Sequence, residues 1–135
     1  MKNKSILESP DVYKPVSSNL ETPVFVDKRG EIHRLKIGGF KINILFSKKG
    51  VKRSGDLHPN VQYDFIFSGK VQIWYRKDGQ DVKKIYGPNS FIEIPPYIPH
   101  LFVFLQNTLM AEWWEGKFKA WYFRPYRNII EKRPA

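Results

Sequence analysis

Residues 54–70 read SGDLHPNVQYDFIFSGK, a histidine in a polar stretch that runs into a strand-like segment. In VQYDFIF, alternation places Gln62, Asp64 and Ile66 on one face and Tyr63, Phe65 and Phe67 on the other. Polar groups on one side and aromatics on the other suit a surface strand with Gln62 in water. They equally suit a barrel strand whose lumen is polar because a ligand enters it, and periodicity alone does not choose.

The same strand grammar extends outward in both directions. EIHRLKI, FKINILF, KVQIWYR, DVKKIY, SFIEI, LFVFL, LMAEWW and KAWYF are rich in β-branched and aromatic residues, and GG, SKKG, SGK, KDGQ, GPNS and QN punctuate them. Even spacing with almost no helical period predicts an all-β sandwich or barrel over residues 23–124. Residues 1–22, broken by Pro10 and Pro15, read as an arm or short lead-in strand. Residues 125–135 read as a tail or short helix, with Pro125 allowed in a first turn.

Length and composition set the outer bounds. A chain of 135 residues suits one domain with one core. It has no cysteine, so neither a disulfide framework nor a thiolate metal site is open to it. No apolar stretch has signal-peptide or bilayer-spanning length, which sets the expectation of a soluble, cytoplasmic protein with no membrane partner. The formal charge is +10, yet residues 1–55 carry 12 basic and 5 acidic side chains while residues 56–115 carry 5 and 7. Lysines scattered through strands and turns, instead of gathered on one helix or stripe, argue against a nucleic-acid partner. They suit a solvated surface, or attraction of an anionic small molecule.

Spacing sharpens this reading. Residues 50–69 follow Gx5DxHx3Qx6G, and after Gly87 comes IPPYIPH at residues 94–100. The pair resembles the two motifs of the cupin superfamily, Gx5HxHx3Ex6G and a glycine followed by a PxGxPH-like segment. The resemblance implies a double-stranded β-helix, or jelly-roll barrel, with its site at the barrel mouth. Asp56 stands where that family has its first histidine, Gln62 where it has the glutamate, and Tyr97 where it has the turn glycine; His58 and His100 are retained. By the resemblance, Asp56, His58, Gln62 and His100 occupy four ligand positions. Two imidazoles and a carboxylate suit one divalent Fe, Mn, Ni or Zn ion, with the Gln62 amide oxygen as a weak fourth ligand. The loss of two strong donors leaves a metal-free site open as well.

A second resemblance is to cupins acting on nucleotide-linked deoxysugars, the dTDP-sugar 3,4-ketoisomerases and 3,5-epimerases. Asp27, Arg29 and Gly30 match their early DxRG segment, and Arg53, Gly55 and His58 match parts of a later one. It implies a keto-sugar isomerase or epimerase with His58 as base, Asp56 or Asp64 orienting it, His100 or Tyr97 as proton donor, and Arg29 and Arg53 on the diphosphate of an anionic sugar nucleotide. Glu112, beside Trp114 and opposite Trp113 in face, is a further candidate acid if it points inward. Alternatives are a metal-dependent oxygenase or isomerase and a non-catalytic ligand-binding module. His33 reads as a strand-surface residue. The aromatic-rich KAWYFRPYRNII packs on the barrel or on a second subunit, and by the resemblance a homodimer is expected.

Overall fold

A computed structural model of the chain describes residues 4–16 and 22–132. Its strands are β1 (Val12–Pro15), β2 (Val24–Asp27), β3 (Gly30–Ile37), β4 (Phe40–Ser47), β5 (Lys52–Leu57), β6 (Gln62–Ser68), β7 (Val71–Lys77), β8 (Gln80–Tyr86), β9 (Phe91–Ile94), β10 (His100–Phe104), β11 (Thr108–Trp114) and β12 (Trp121–Phe123). A short 3-10 helix (Lys4–Glu8) precedes them and helix α1 (Arg124–Glu131) follows. The strands form two six-stranded sheets, ordered β1-β12-β5-β10-β7-β8 and β2-β3-β4-β11-β6-β9, with every pairing antiparallel. This is the jelly roll that the motif resemblance implies. No helix among the described residues is long and apolar enough to cross a membrane.

Local chemistry explains the joints. The turn between β7 and β8 places Asp78 and Gly79 at φ 51° and 75°, the double left-handed geometry that twists a two-residue hairpin correctly. Gly69, the last residue of the first spacing, sits at φ 98°, and a Cβ there would collide with the Asn107 carbonyl and the Thr108 hydroxyl. Gly69→Ala is therefore expected to cost on the order of 2–4 kcal/mol, since backbone strain and a backbone clash act together. Urea unfolding at constant m-value checks this.

The buried apolar side chains form two clusters. Leu45, Ile66, Val71, Ile73, Phe102, Phe104 and Met110 fill one end of the space between the sheets. Leu57, Leu101, Phe123 and Tyr126 form the second cluster, joined by Ile129 and Ile130 of α1 and by Ile6 and Leu7 of the 3-10 helix. The C-terminal aromatics thus pack on the barrel. The Tyr126 hydroxyl donates to Asp81 Oδ1 at 2.6 Å, and Arg76 Nε donates to the same oxygen at 2.8 Å, tying α1 to β7 and β8.

One segment departs from the sequence expectation. Lys52–Leu57 is not among the strands read from alternation, yet it is a central strand between β12 and β10, and Arg53 is buried. Ser54 and Gly55 hold φ of 76° and 69°, and the β10 register jumps there, from His100 opposite Asp56 to Leu101 opposite Ser54. This bulge breaks the alternation by which a strand is recognised. Gly55 also carries α1 at close range, since a Cβ would stand 2.9 Å from the side chains of Arg127 and Ile130.

Candidate functional site

The other end of the barrel interior is polar. Arg53, Asp56, His58, Gln62, Asp64 and His100 are all buried, which settles the ambiguity of the opening strand: Gln62, Asp64 and Ile66 face the lumen, and Phe67 is 45% exposed outside. The bulge in β5 aims Asp56 inward, antiparallel pairing sets His100 directly opposite it, and His58 follows two residues on.

Three donor atoms converge. Asp56 Oδ1 lies 3.4 Å from His58 Nε2 and 3.3 Å from His100 Nε2. His58 Nδ1 is 3.1 Å from the Lys119 carbonyl and His100 Nδ1 is 2.9 Å from the Ile98 carbonyl. A carbonyl only accepts, so each Nδ1 carries a proton, and each ring, when neutral, turns an Nε2 lone pair toward Asp56. Among the described residues, Asp56 Oδ1 and His100 Nε2 are buried without any hydrogen-bond partner. With both rings neutral, three acceptors face one another, a group that could hold a metal ion. Their spacing fits one, because two ligand atoms about 2.1 Å from a common ion in tetrahedral arrangement stand about 3.4 Å apart.

The electrostatics follow from this crowding. Burial opposes ionisation of Asp56, but the two histidines and Arg127 together hold its carboxyl below the usual range. Burial likewise opposes the His58 cation, and Asp56 overrides it and pushes His58 up. His100 is lowered by burial to about 4, with Asp56 only partly offsetting and His58 adding to the drop.

Gln62 does not join the donor set. Its Oε1 accepts from Trp114 Nε1 at 3.2 Å, and its Nε2 donates to both Asp64 oxygens at 3.1 and 3.2 Å. The indole can only donate and a carboxylate accepts, so the amide orientation is fixed. Behind it, Asp64 on β6 is paired across the ladder with Glu112 on β11, and both side chains point inward. Burial and the Glu112 charge push Asp64 well up. Burial raises Glu112 to about 6 despite a hydrogen bond from Asn43 Nδ2 at 3.3 Å.

A cavity of about 200 Å³ opens over this group, lined among others by Arg29, Arg34, Arg53, Asp56, His58 and Glu112. A neighbouring recess of about 130 Å³ shares Arg34, Asn43, Glu112, Trp114 and Phe118 with it. Arg53 Nε donates to Ser47 Oγ at 2.8 Å, and Arg29 is held by Asp27 at 2.8 Å. Trp114 and Phe118 wall one side, each ring centroid 5.5 Å from that of His58.

The structure thus gathers His58, Asp56, Arg29, Arg53, Gln62 and Glu112 at one cavity, with His100 buried against Asp56 and Asp64 behind Gln62. Tyr97 is elsewhere. It packs in the outer cluster at φ 61°, a conformation costly for a residue with a Cβ, and its backbone N–H donates to the His58 carbonyl at 2.7 Å. Its phenol is no proton donor to the cavity, and its part is to hold the His58 backbone. Sequence reasoning missed Arg34, Asn43 and Phe118. Alternation with Ile32 could have found Arg34, whereas nothing in the sequence marks Phe118.

No family model matches the sequence, and no curated protein does either. Among solved structures, the chain is similar to the capsular polysaccharide assembling protein CapF from Staphylococcus aureus, with 21% identity and a TM-score of 0.61 over 74% of this chain and 32% of that one. It is also similar to a deletion mutant of the oxalate decarboxylase OxdC from Bacillus subtilis, with 14% identity and a TM-score of 0.63 over 83% of this chain and 32% of that one. A further structure of that decarboxylase, a protein with Mn(II) centres, matches at 15% identity and a TM-score of 0.62, over 79% of this chain and 30% of that one. The chain spans about a third of the length of these proteins. At such identities the likeness is one of fold.

Proposed function

We propose that this chain, whose fold is that of the cupins, holds one divalent transition metal on Asp56, His58 and His100 and binds a small anionic ligand beside it. The observation that carries this reading is the convergence of Asp56 Oδ1 with both Nε2 atoms, two of the three buried with no hydrogen-bond partner among the described residues. Backbone carbonyls on both Nδ1 atoms add the outer contacts that orient metal-binding imidazoles. Two nitrogens and a carboxylate suit Mn(II), Fe(II), Ni(II) or Zn(II). Such an ion, when bound, supplies Lewis-acid polarisation of a ligand oxygen or an acidified water.

The chain's own residues divide the remaining work. Arg29, Arg34 and Arg53 line the mouth and offer planar donor forks to a carboxylate or phosphate. Glu112, with Asp64 behind it, is a carboxyl that holds its proton to near-neutral pH and can exchange it with a bound ligand. Trp114 and Phe118 exclude water from that exchange. A cavity of about 200 Å³ lies below the roughly 300–1,000 Å³ of sites that enclose drug-sized molecules, so it suits a compact acid. The direct test is equilibrium dialysis of the chelator-stripped protein against Mn(II), with about one equivalent retained per chain. No uptake of any of the four metals sinks the reading. Arg53→Met in the metal-loaded protein is expected to weaken binding of a small dicarboxylate probe by about 10–100-fold, the loss of a charge-assisted bidentate contact. Calorimetric titration reads this out.

A second reading has its own support. Arg29, on the Asp27–Gly30 turn, and Arg53 line the same cavity as His58, the arrangement asked of a keto-sugar isomerase or epimerase with His58 as base and a nucleotide diphosphate at the mouth. It needs His58 free of metal, so turnover of a nucleotide-linked keto-sugar that survives chelation separates the two readings.

A further inference from the structure

The inner face of the second sheet changes character along β3 and β4. Antiparallel register sets Ile32 opposite Leu45, then Arg34 opposite Asn43, then Lys36 opposite Lys41. These rungs are two residues apart, so all of them share the lumen-facing row. Ile32 and Leu45 pack in the apolar cluster, Arg34 and Asn43 line the cavity over Asp56 and His58, and Lys36 and Lys41 lie beyond them at the neighbouring recess. Core and cavity account for the inner two rungs, but not for the lysines. Like charges directly opposite in a ladder destabilise it, and among the described residues neither lysine has an ion pair.

We infer that the recess is an anion subsite continuous with the cavity, so that the ligand is an acid carrying a second anionic group at the far end of an apolar body. This rests on the reading of the cavity as the seat of a small anion. Charge is the first argument. Arg34, Lys36 and Lys41 line the recess against one acidic residue, Glu112, and the Glu112 carboxyl already accepts from Asn43 Nδ2. Arg34 Nη1 donates to the Thr22 carbonyl at 2.9 Å, while Arg34 Nε is buried with no hydrogen-bond partner among the described residues. A buried N–H without an acceptor is costly, and an anion where the two spaces meet supplies one.

Shape is the second. Arg34, Asn43, Glu112, Trp114 and Phe118 border cavity and recess alike, so a ligand reaching from one into the other runs along the same side chains. Trp114 and Phe118 meet edge to face with ring centroids 4.9 Å apart and give that path an apolar flank. One rung along a strand face is roughly 7 Å, which sets the Arg34 rung and the lysine rung for two anionic groups joined by a short spacer. The volumes, about 200 and about 130 Å³, together reach the lower end of the roughly 300–1,000 Å³ of sites that enclose a whole ligand. A compact acid head therefore fills the cavity and leaves the recess for the second group. The two ends differ in kind as well: arginines hold the head by planar forks, and lysines hold the far anion as point charges that tolerate a mobile end.

The test is calorimetric titration, in buffer containing Mn(II), with succinate, heptanoate and pimelate, the last two being the same carbon chain with one and with two carboxylates. Wild type is expected to bind pimelate about 10-fold more tightly than heptanoate, the effect of one further charge-assisted contact. The double variant Lys36→Met/Lys41→Met is expected to bring pimelate down to the heptanoate value and to leave succinate unchanged. Lys83→Met/Lys84→Met, on β8 of the other sheet, removes the same charge and is expected to alter none of the three, which separates a local subsite from the general pull of a chain of formal charge +10. All four lysines are exposed, so both variants are expected to fold, and thermal melts verify it. Succinate bound, with pimelate no tighter than heptanoate or weakened equally by the two double variants, overturns this inference and leaves the reading of the cavity standing. If none of the three acids binds, the reading of the cavity falls and this inference falls with it.

Discussion

His58→Ala and His100→Ala are each expected to lower bound divalent metal from about one equivalent to background, while Gln62→Ala is expected to retain it. In the proposed site each imidazole supplies one of three protein donors through Nε2, its Nδ1 being committed to a carbonyl. Gln62 sits at a ligand position by spacing, but its oxygen is occupied by Trp114 and its nitrogen by Asp64. Stripping the metal also destabilises the wild type, because an ion bound only by the native state adds stability by mass action, about 4 kcal/mol at a thousandfold excess over Kd. The two alanine variants lose that increment and show no response to chelator. Plasma mass spectrometry and thermal melts with and without chelator check both statements. Metal retained in both histidine variants refutes the assignment, and metal lost with Gln62→Ala restores Gln62 as a ligand.

Glu112→Gln is expected to stabilise the metal-free protein at pH 8 and to leave it unchanged at pH 4. The folded group titrates at about 6 against an ordinary 4.5, raised chiefly by burial. Below pH 4.5 the carboxyl is protonated in both states. Between the two values the unfolded chain has released its proton and the folded chain has not, so stability falls as pH rises, and above about 6 the full cost of the buried carboxylate is in place. The 1.5-unit difference implies at most about 2 kcal/mol, or roughly 5–10 °C in Tm for a chain of this size. Asp64, also raised by burial and by the Glu112 charge, acts with the same sign. Calorimetry of wild type and variant at the two pH values decides it. A Glu112→Gln protein that melts lower at pH 8 shows that the carboxylate is stabilised, and the proposed near-neutral acid is then lost.

How much of this was legible in the chain can be judged element by element. Alternation and turn residues found the strands from EIHRLKI through KAWYF, because a strand with one buried face writes its period into the sequence. Pro125 marked the start of α1 for an equally local reason. The segment KRSGDL carried no such mark. Two successive positive φ values bulge it, and a bulged strand with polar groups turned inward has the composition of a loop. Nothing local therefore shows that Arg53 is buried beside Ser47.

The site divides along the same line. By itself, the sequence determined an all-β sandwich or barrel, since alternation and turns follow from residue type and order, while the likeness to the two cupin motifs implied the jelly roll and the pairing of His58 with His100. The tertiary structure alone decided that Asp56 turns inward against both histidines, that Gln62 bonds Trp114 and Asp64, that Tyr97 belongs to the outer cluster, and that Asp64 faces Glu112. Those facts depend on register between strands tens of residues apart and on one bulge. Register is set by the packing of whole sheets, a sum over many side chains that no local pattern records.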